Sequence, residues 1–142
     1  MSREPFLSAA QLVSALEQAT RQESVVAALY SSEHCPFCVA VKKEQLAPRI
    51  RSTTRPGLIV VEIDTDNRQP FSLPSGQRIT ATEWGRQHRI TLMPTLSMLD
   101  VSAKPLTKPL VGYASRDFYA AYLEDQIQAA AAYWSKLRQS LK

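Results

Sequence analysis

Only two cysteines occur among the 142 residues, Cys35 and Cys38, which excludes a small scaffold stapled by several disulfides. Glycine is scarce as well, and four Gly beside nine Pro exclude a collagen-like repeat or a glycine linker. Long hydrophobic runs are missing. The longest stretch without a charge, residues 5–16, is broken by Ser8, Gln11 and Ser14 and falls far short of the ~20 apolar residues a spanning helix needs. No stable membrane insertion is expected. Neither sign of charge dominates: 17 Lys and Arg against 13 Asp and Glu leave +4, which affects solubility and encounter rates more than it identifies a partner. Basic residues do bunch at Lys42, Lys43, Arg49, Arg51 and Arg55, but no aromatic side chains interleave with them as stacking platforms, so nucleic acid is not an expected partner. The first five residues lack a positive region leading into an apolar core and a cleavage site, so no leader is visible in this numbering.

What is present fits one ordinary domain over residues 1–142, with 44% hydrophobic and 21% charged residues and neither repeats nor a low-complexity linker. Ser8 can cap an amphipathic helix over residues 9–20, with Leu12, Val13, Leu16 and Ala19 at helical spacing. Residues 24–30 form a short apolar run with β-branched positions, suited to a buried strand, and the cysteines follow it directly. Pro36 fits a first helical turn, and a helix continues from there until Pro48 interferes. Residues 58–64 read as a second central strand, completing a β-α-β unit. Residues 65–80, with Pro70, Pro74 and a Ser75-Gly76 turn, read as an inserted loop or small hairpin. Thr82 is placed as the cap of a short helix carrying Trp84 and ending near His88. Strands at residues 95–99 and 106–111 then pair as an antiparallel hairpin around residues 102–104. Ser115 caps a long last helix with an apolar stripe of Phe118, Tyr119, Tyr122, Leu123, Ile127, Ala130 and Trp134. The fold class is α/β, a mixed central sheet with helices on both faces.

The cysteine pair has three uses open to it: a redox couple, half of a metal site, or two small core residues. A spacing of i, i+3 at a helix start sets both sulfurs on one side of the first turn, near enough to close a disulfide. Cys35 there faces unpaired N–H groups and the positive end of the helix dipole, which favour a thiolate, whereas Cys38 lies one turn further in and is more shielded. Cys35 is therefore the candidate nucleophile and Cys38 the resolving thiol. A structural zinc needs four ligands, and only His34 and His88 could join the cysteines; His34 is adjacent to Cys35, which makes tetrahedral convergence awkward, so no metal is expected. His34 and Glu33 are candidate modulators: a protonated imidazole would favour the thiolate, while a carboxylate would oppose it or pass a proton. Phe37 would present an apolar face beside the sulfurs to a substrate.

Cys35-Pro36-Phe37-Cys38 after a strand, together with Met93-Pro94-Thr95 opening a strand of the second half, resembles the thioredoxin-like superfamily. The resemblance spans about residues 24–127, with an insertion at 65–80 before the proline strand and a long C-terminal helix. It implies a cis Met93–Pro94 bond lying against the cysteines, and a substrate-binding surface made of Pro36, Phe37, Met93, Pro94 and Thr95. It also implies thiol-disulfide oxidoreductase activity without a cofactor. The partners it implies are protein substrates carrying a disulfide or dithiol, and a redox partner protein; a monomer is expected. His34 stands where thioredoxins proper usually have Trp, and Leu29 stands where they have a buried Asp. The stretch also resembles glutaredoxins, but their Gly-Gly pair for glutathione is missing. The nearest likeness is to extended bacterial thioredoxin-like proteins of the sulfur-oxidation or cytochrome-maturation type, which implies the periplasm after removal of a leader, with the cytoplasm as the alternative. A glutaredoxin-like protein and a redox-inactive binding module that kept the fold are the competing readings.

Overall fold

The structure is a computed structural model and describes residues 5–142; residues 1–4, part of the start in which no leader is visible, lie outside the described residues. Strand β1 (Leu7–Ser8) and a 3₁₀ turn (Ala9–Gln11) lead into α1 (Leu12–Arg21). Gln11 reaches back so that its side-chain carbonyl accepts the Ser8 N–H at 2.9 Å, closing the helix start. Then come β2 (Ser24–Ser31), α2 (Pro36–Val41), a π turn (Lys42–Leu46) and α3 (Ala47–Arg51). They are followed by β3 (Gly57–Asp64), the short strands β4 (Phe71–Ser72) and β5 (Arg78–Ile79), and α4 (Ala81–Gln87). The chain ends with β6 (Thr95–Met98), β7 (Leu110–Val111) and α5 (Arg116–Ser140).

Five strands form one mixed sheet in the order β1-β3-β2-β6-β7. β2 runs parallel to β3 and antiparallel to β6, and it is buried at every position, as a central strand covered on both faces must be. Its side chains alternate between the faces. Tyr30 lies against Gly85 of α4, so close that a Cβ at Gly85 would overlap the phenol ring and hydroxyl. Leu29 points the other way, in register with Glu62 of β3, toward the helix that carries the cysteines. Trp84, Trp134, Leu29, Ile63, Leu96 and Met98 are among the fully buried side chains that fill the space between sheet and helices.

Several elements depart from the sequence expectation for physical reasons. The helix after Cys38 does not stop at Pro48: α2, the π turn and α3 run on without a break. Ala47 donates its N–H to the Lys42 carbonyl, five residues back, and this widened turn makes room for a proline that would otherwise press on the carbonyl of residue 44. The cap of α4 is Thr80 rather than Thr82: the Thr80 hydroxyl accepts from the Glu83 N–H at 3.2 Å, while the Glu83 carboxylate accepts from the Thr80 N–H at 3.0 Å. The second hairpin strand keeps only Leu110–Val111 of the expected 106–111: Leu106 still donates its N–H to the Met98 carbonyl at 2.7 Å, but Pro109 has no N–H to give to a ladder. Phe118 and Tyr122 do not belong to the buried stripe of α5, for they are 68% and 57% exposed. Residues 65–80 carry the β4–β5 hairpin, and Phe71 packs at 6.2 Å from Trp84.

Candidate functional site

Where β2 and β3 end, four loops meet. Ser31 closes β2, and Cys35 is the N-cap of α2, with extended backbone and with its sulfur accepting the Cys38 N–H at 3.1 Å. Pro36 occupies the first helical turn, where a missing N–H costs nothing. Cys35 and Cys38 are joined by a disulfide with their Cα atoms 5.2 Å apart. Cys35 is half-exposed whereas Cys38 is 1% exposed, so a thiolate arriving from outside meets Cys35. Phe37, 60% exposed, stands beside them.

Met93 brings its carbonyl oxygen to 3.8 Å from the Cys35 sulfur, and the Met93–Pro94 peptide is cis. Pro94 and Thr95 are buried, and the Thr95 hydroxyl donates to the Leu92 carbonyl at 2.7 Å. These two side chains therefore shape the wall of the site, while Met93 and Leu92, 37% and 58% exposed, supply its surface. Gly112, at φ +74° where glycine carries no steric penalty, donates its N–H to the Pro94 carbonyl at 2.7 Å. Thus six of the seven residues expected at the cysteine pair and its substrate surface lie together, and Thr95 joins them from beneath.

Sequence reasoning missed Asp66. Its carboxylate accepts the Glu33 N–H at 2.7 Å and the Ser32 hydroxyl at 3.1 Å, fixing the turn that delivers Cys35. Those bonds, the Glu33 amide foremost, hold the Asp66 carboxyl below its ordinary range, with the nearby His34 adding to the effect. Glu33 thus enters the geometry through its backbone, and its side chain and that of His34 are exposed. Thr65 completes the brace, donating its hydroxyl to the Ser31 carbonyl at 3.1 Å and lying 3.7 Å from the Met93 sulfur. No local pattern announces these contacts, because more than 25 residues of chain separate the partners.

Beneath the disulfide helix, Leu29 is fully buried, and the acid on that face is its register neighbour Glu62. One Glu62 oxygen accepts from both Lys42 at 2.9 Å and Ser31 at 2.7 Å. Lys42 is one helical turn beyond Cys38, so its charge is directed to Glu62 rather than to the exposed sulfur. Among the described residues, no three His, Cys, Asp or Glu side chains gather in a way that could hold a metal ion, and no helix is long and apolar enough to cross a membrane.

Comparison with known proteins gives the same picture. The model of the thioredoxin-like domain family matches residues 12–127. Among solved structures, the chain is similar to a thioredoxin-fold protein from Helicobacter pylori, with a TM-score of 0.60 and 12% identity, covering 92% of this chain and 94% of that one. It is similar to a thioredoxin from Nicotiana alata, with a TM-score of 0.59, 14% identity and 92% and 96% of the two chains covered. A thioredoxin from Trypanosoma brucei brucei shows a TM-score of 0.54 at 18% identity, over 89% of this chain and 96% of that one. At such identities these structures speak for the fold alone. No curated protein matches by sequence. A family model that covers most of the length, on a sheet and helices arranged as in these thioredoxins, settles the kinship: the chain belongs to the thioredoxin-like domain family.

Proposed function

We propose that the protein is a thiol-disulfide oxidoreductase acting on protein substrates through Cys35 and Cys38. The observation that carries this reading is one half-exposed and one buried cysteine, bridged at the start of α2 and facing the Met93 carbonyl. In the reducing direction, the Cys35 thiolate attacks a partner's disulfide. The partner's S–S bond breaks, a bond between Cys35 and one partner sulfur forms, and the other partner sulfur leaves as a thiolate that takes up a proton. Cys38, losing its proton, then attacks Cys35, closing the intramolecular disulfide and releasing the partner's second thiol. Two electrons pass from this protein to its partner, and a dithiol redox partner protein must restore them. In the other direction the same steps run in reverse, with the balance set by the potentials of the two pairs.

Pro36, Phe37 and Met93 form the surface that meets the substrate, with the buried Pro94 and Thr95 holding it from behind and His34 and Glu33 at its margin. The protein works as a monomer and needs no cofactor. The resemblance of the sequence to extended bacterial thioredoxin-like proteins points to the periplasm as its compartment, which fractionation of the native cells tests: the protein released with the periplasmic contents agrees, and retention with the cytoplasm does not.

Reduction of insulin with dithiothreitol as the electron source tests the reaction. The native protein accelerates it, Cys35→Ser abolishes the acceleration, and Cys38→Ser accumulates mixed disulfides with partners. Equal activity of native and Cys35→Ser proteins would overturn the reading, and a protein that holds its partners unchanged in both variants would be a binding module instead.

A further inference from the structure

Beyond the end of β6 lies a cleft of about 410 Å³ that shares no lining residue with the disulfide site. Its walls come from three places: Leu73 and Pro74 of the β4–β5 hairpin, Trp84 and His88 of α4 and its cap, and Ala103 and Lys104 of the turn after β6. A volume of this order suits a small molecule. Each wall is held before anything binds. In the hairpin, Leu73 donates its N–H to the Gln77 carbonyl at 2.8 Å, and Gly76, at φ +91°, donates to the Leu73 carbonyl at 2.9 Å. In the turn, Ala103 takes φ +66° and donates to the Asp100 carbonyl at 3.0 Å. A site made in advance loses little freedom on binding, which leaves more of the contact energy as affinity.

Donors without partners line this cleft. Trp84 is 2% exposed, yet its indole N–H, a group that finds an acceptor in most buried settings, has none among the described residues. Trp134 shows the ordinary case, with its N–H on the Leu99 carbonyl. The Trp84 nitrogen is not sealed in protein, so an acceptor can reach it from the cleft. His88 is half-buried against Trp84, with ring centroids 4.3 Å apart, and neither of its ring nitrogens has a partner among the described residues. Burial pushes its pKa down, so near neutral pH the ring is uncharged and has one N–H to donate. Lys104 adds an ammonium group with no ion-pair partner among the described residues. No Asp or Glu lines the cleft. The nearest in sequence, Asp100, turns its carboxylate to the backbone, accepting the N–H groups of Ser102 at 2.8 Å and Lys104 at 3.0 Å.

We propose that this cleft is a second binding site, for a small organic acid: a carboxylate received by Lys104 and by the N–H groups of Trp84 and His88, on a flat apolar body lying against Leu73 and Pro74. The anion brings the acceptors these donors lack, and the hydrocarbon covers side chains that an inorganic ion would leave wet. The site stands whether or not the cysteines exchange disulfides.

The test titrates sodium 2-naphthoate into the oxidised native protein and follows the ring resonances of its two Trp and two His residues. Saturable shifts confined to Trp84 and His88 are expected, with a dissociation constant of about 1 mM or below. Two changes isolate the charge. Neutral 2-naphthamide in place of naphthoate, and Lys104→Ala at an exposed position, should each weaken binding about tenfold, as loss of a charge-assisted hydrogen bond does. Acetate, which has the charge without the body, should also bind at least about tenfold more weakly. No saturation at concentrations about tenfold above the expected constant, or shifts centred on Trp134 or His34, overturns the site. Naphthamide binding as tightly as naphthoate, or a Lys104→Ala protein that binds like the native one, overturns the acid. Tighter binding of the peptide Gly-Gly-Phe with a free carboxylate would assign the cleft to polypeptide ends and overturn the small ligand.

Discussion

At the end of the sheet where the parallel strands finish, the loops bearing Cys35, Asp66, Met93 and Gly112 are held by polar bonds between loops, and large apolar side chains stand in solvent. At the opposite end the chain is tied down from inside. The Arg138 guanidinium donates to the carbonyls of Ala19 at 2.7 Å and Gln22 at 2.8 Å, binding the end of α5 to the turn that opens β2. Trp134, fully buried, donates its indole N–H to the Leu99 carbonyl at 3.1 Å where β6 ends. Arg49 donates to the Pro56 carbonyl at 2.9 Å as β3 begins. The difference teaches where each kind of free energy is used: burial and satisfied carbonyls at the base hold the fold, and this lets the other end keep exposed apolar surface and a bond that opens and closes.

That division can be broken from either side. The largest effect is expected for Cys35→Ser, which should lower disulfide exchange by more than about a hundredfold, as loss of a nucleophile does. Its urea unfolding midpoint should stay close to that of the reduced native protein. Next, Trp134→Ala should cost about 3–5 kcal/mol in the same unfolding measurement through the cavity and the unpaired Leu99 carbonyl. Exchange activity per folded molecule should be retained. Gly85→Ala probes the layer between the two ends: its methyl group would overlap Tyr30, and overpacking of this kind costs about 1–3 kcal/mol. A loss of stability with unaltered exchange would place Tyr30 with the base, and a joint loss would place it with the site.

The smallest and most local effect concerns acid. The Glu33 amide, followed by the Ser32 hydroxyl and His34, keeps the Asp66 carboxyl below its ordinary value, about 3.9 in an unfolded chain. On acidification the unfolded chain therefore takes up this proton first. The contribution to stability is complete above the unfolded value and is lost as pH falls through the lower folded one. Asp66→Asn should remove that part of the acid dependence, giving a flatter acid limb in urea unfolding below about pH 5. It should also disturb the resonances of the Ser32 to Cys35 turn while leaving those around Trp134 unmoved.

Elements whose cause is local were legible in the sequence: the buried apolar run of β2, the cysteines and proline at the start of α2, and the Ser115 cap, whose hydroxyl accepts the Phe118 N–H at 3.4 Å. The true cap of α4 was legible too, because Thr80 precedes Glu83 by three residues, which is the pattern of a reciprocal box, whereas Thr82 has Gly85 at that spacing. Periodicity alone could not tell that Phe118 and Tyr122 are left outside, since helical spacing defines a face without saying which part of it a neighbour covers. The π turn escaped because proline was read as a stop, when a single wide turn accommodates it. Asp66 and Glu62 escaped because their partners are distant in sequence and meet only once β3 is laid beside β2.

The most direct test is equilibration of the protein with graded glutathione and dithiothreitol buffers, followed by alkylation and mass measurement of Cys35 and Cys38. We expect one reversible two-electron transition between the bridged and the open pair within the range from about −270 mV to about −120 mV that such motifs span, and labelling of Cys35 before Cys38 when reagent is limiting. A pair that stays open or stays bridged across that whole range, or a Cys38 that reacts first, would contradict it.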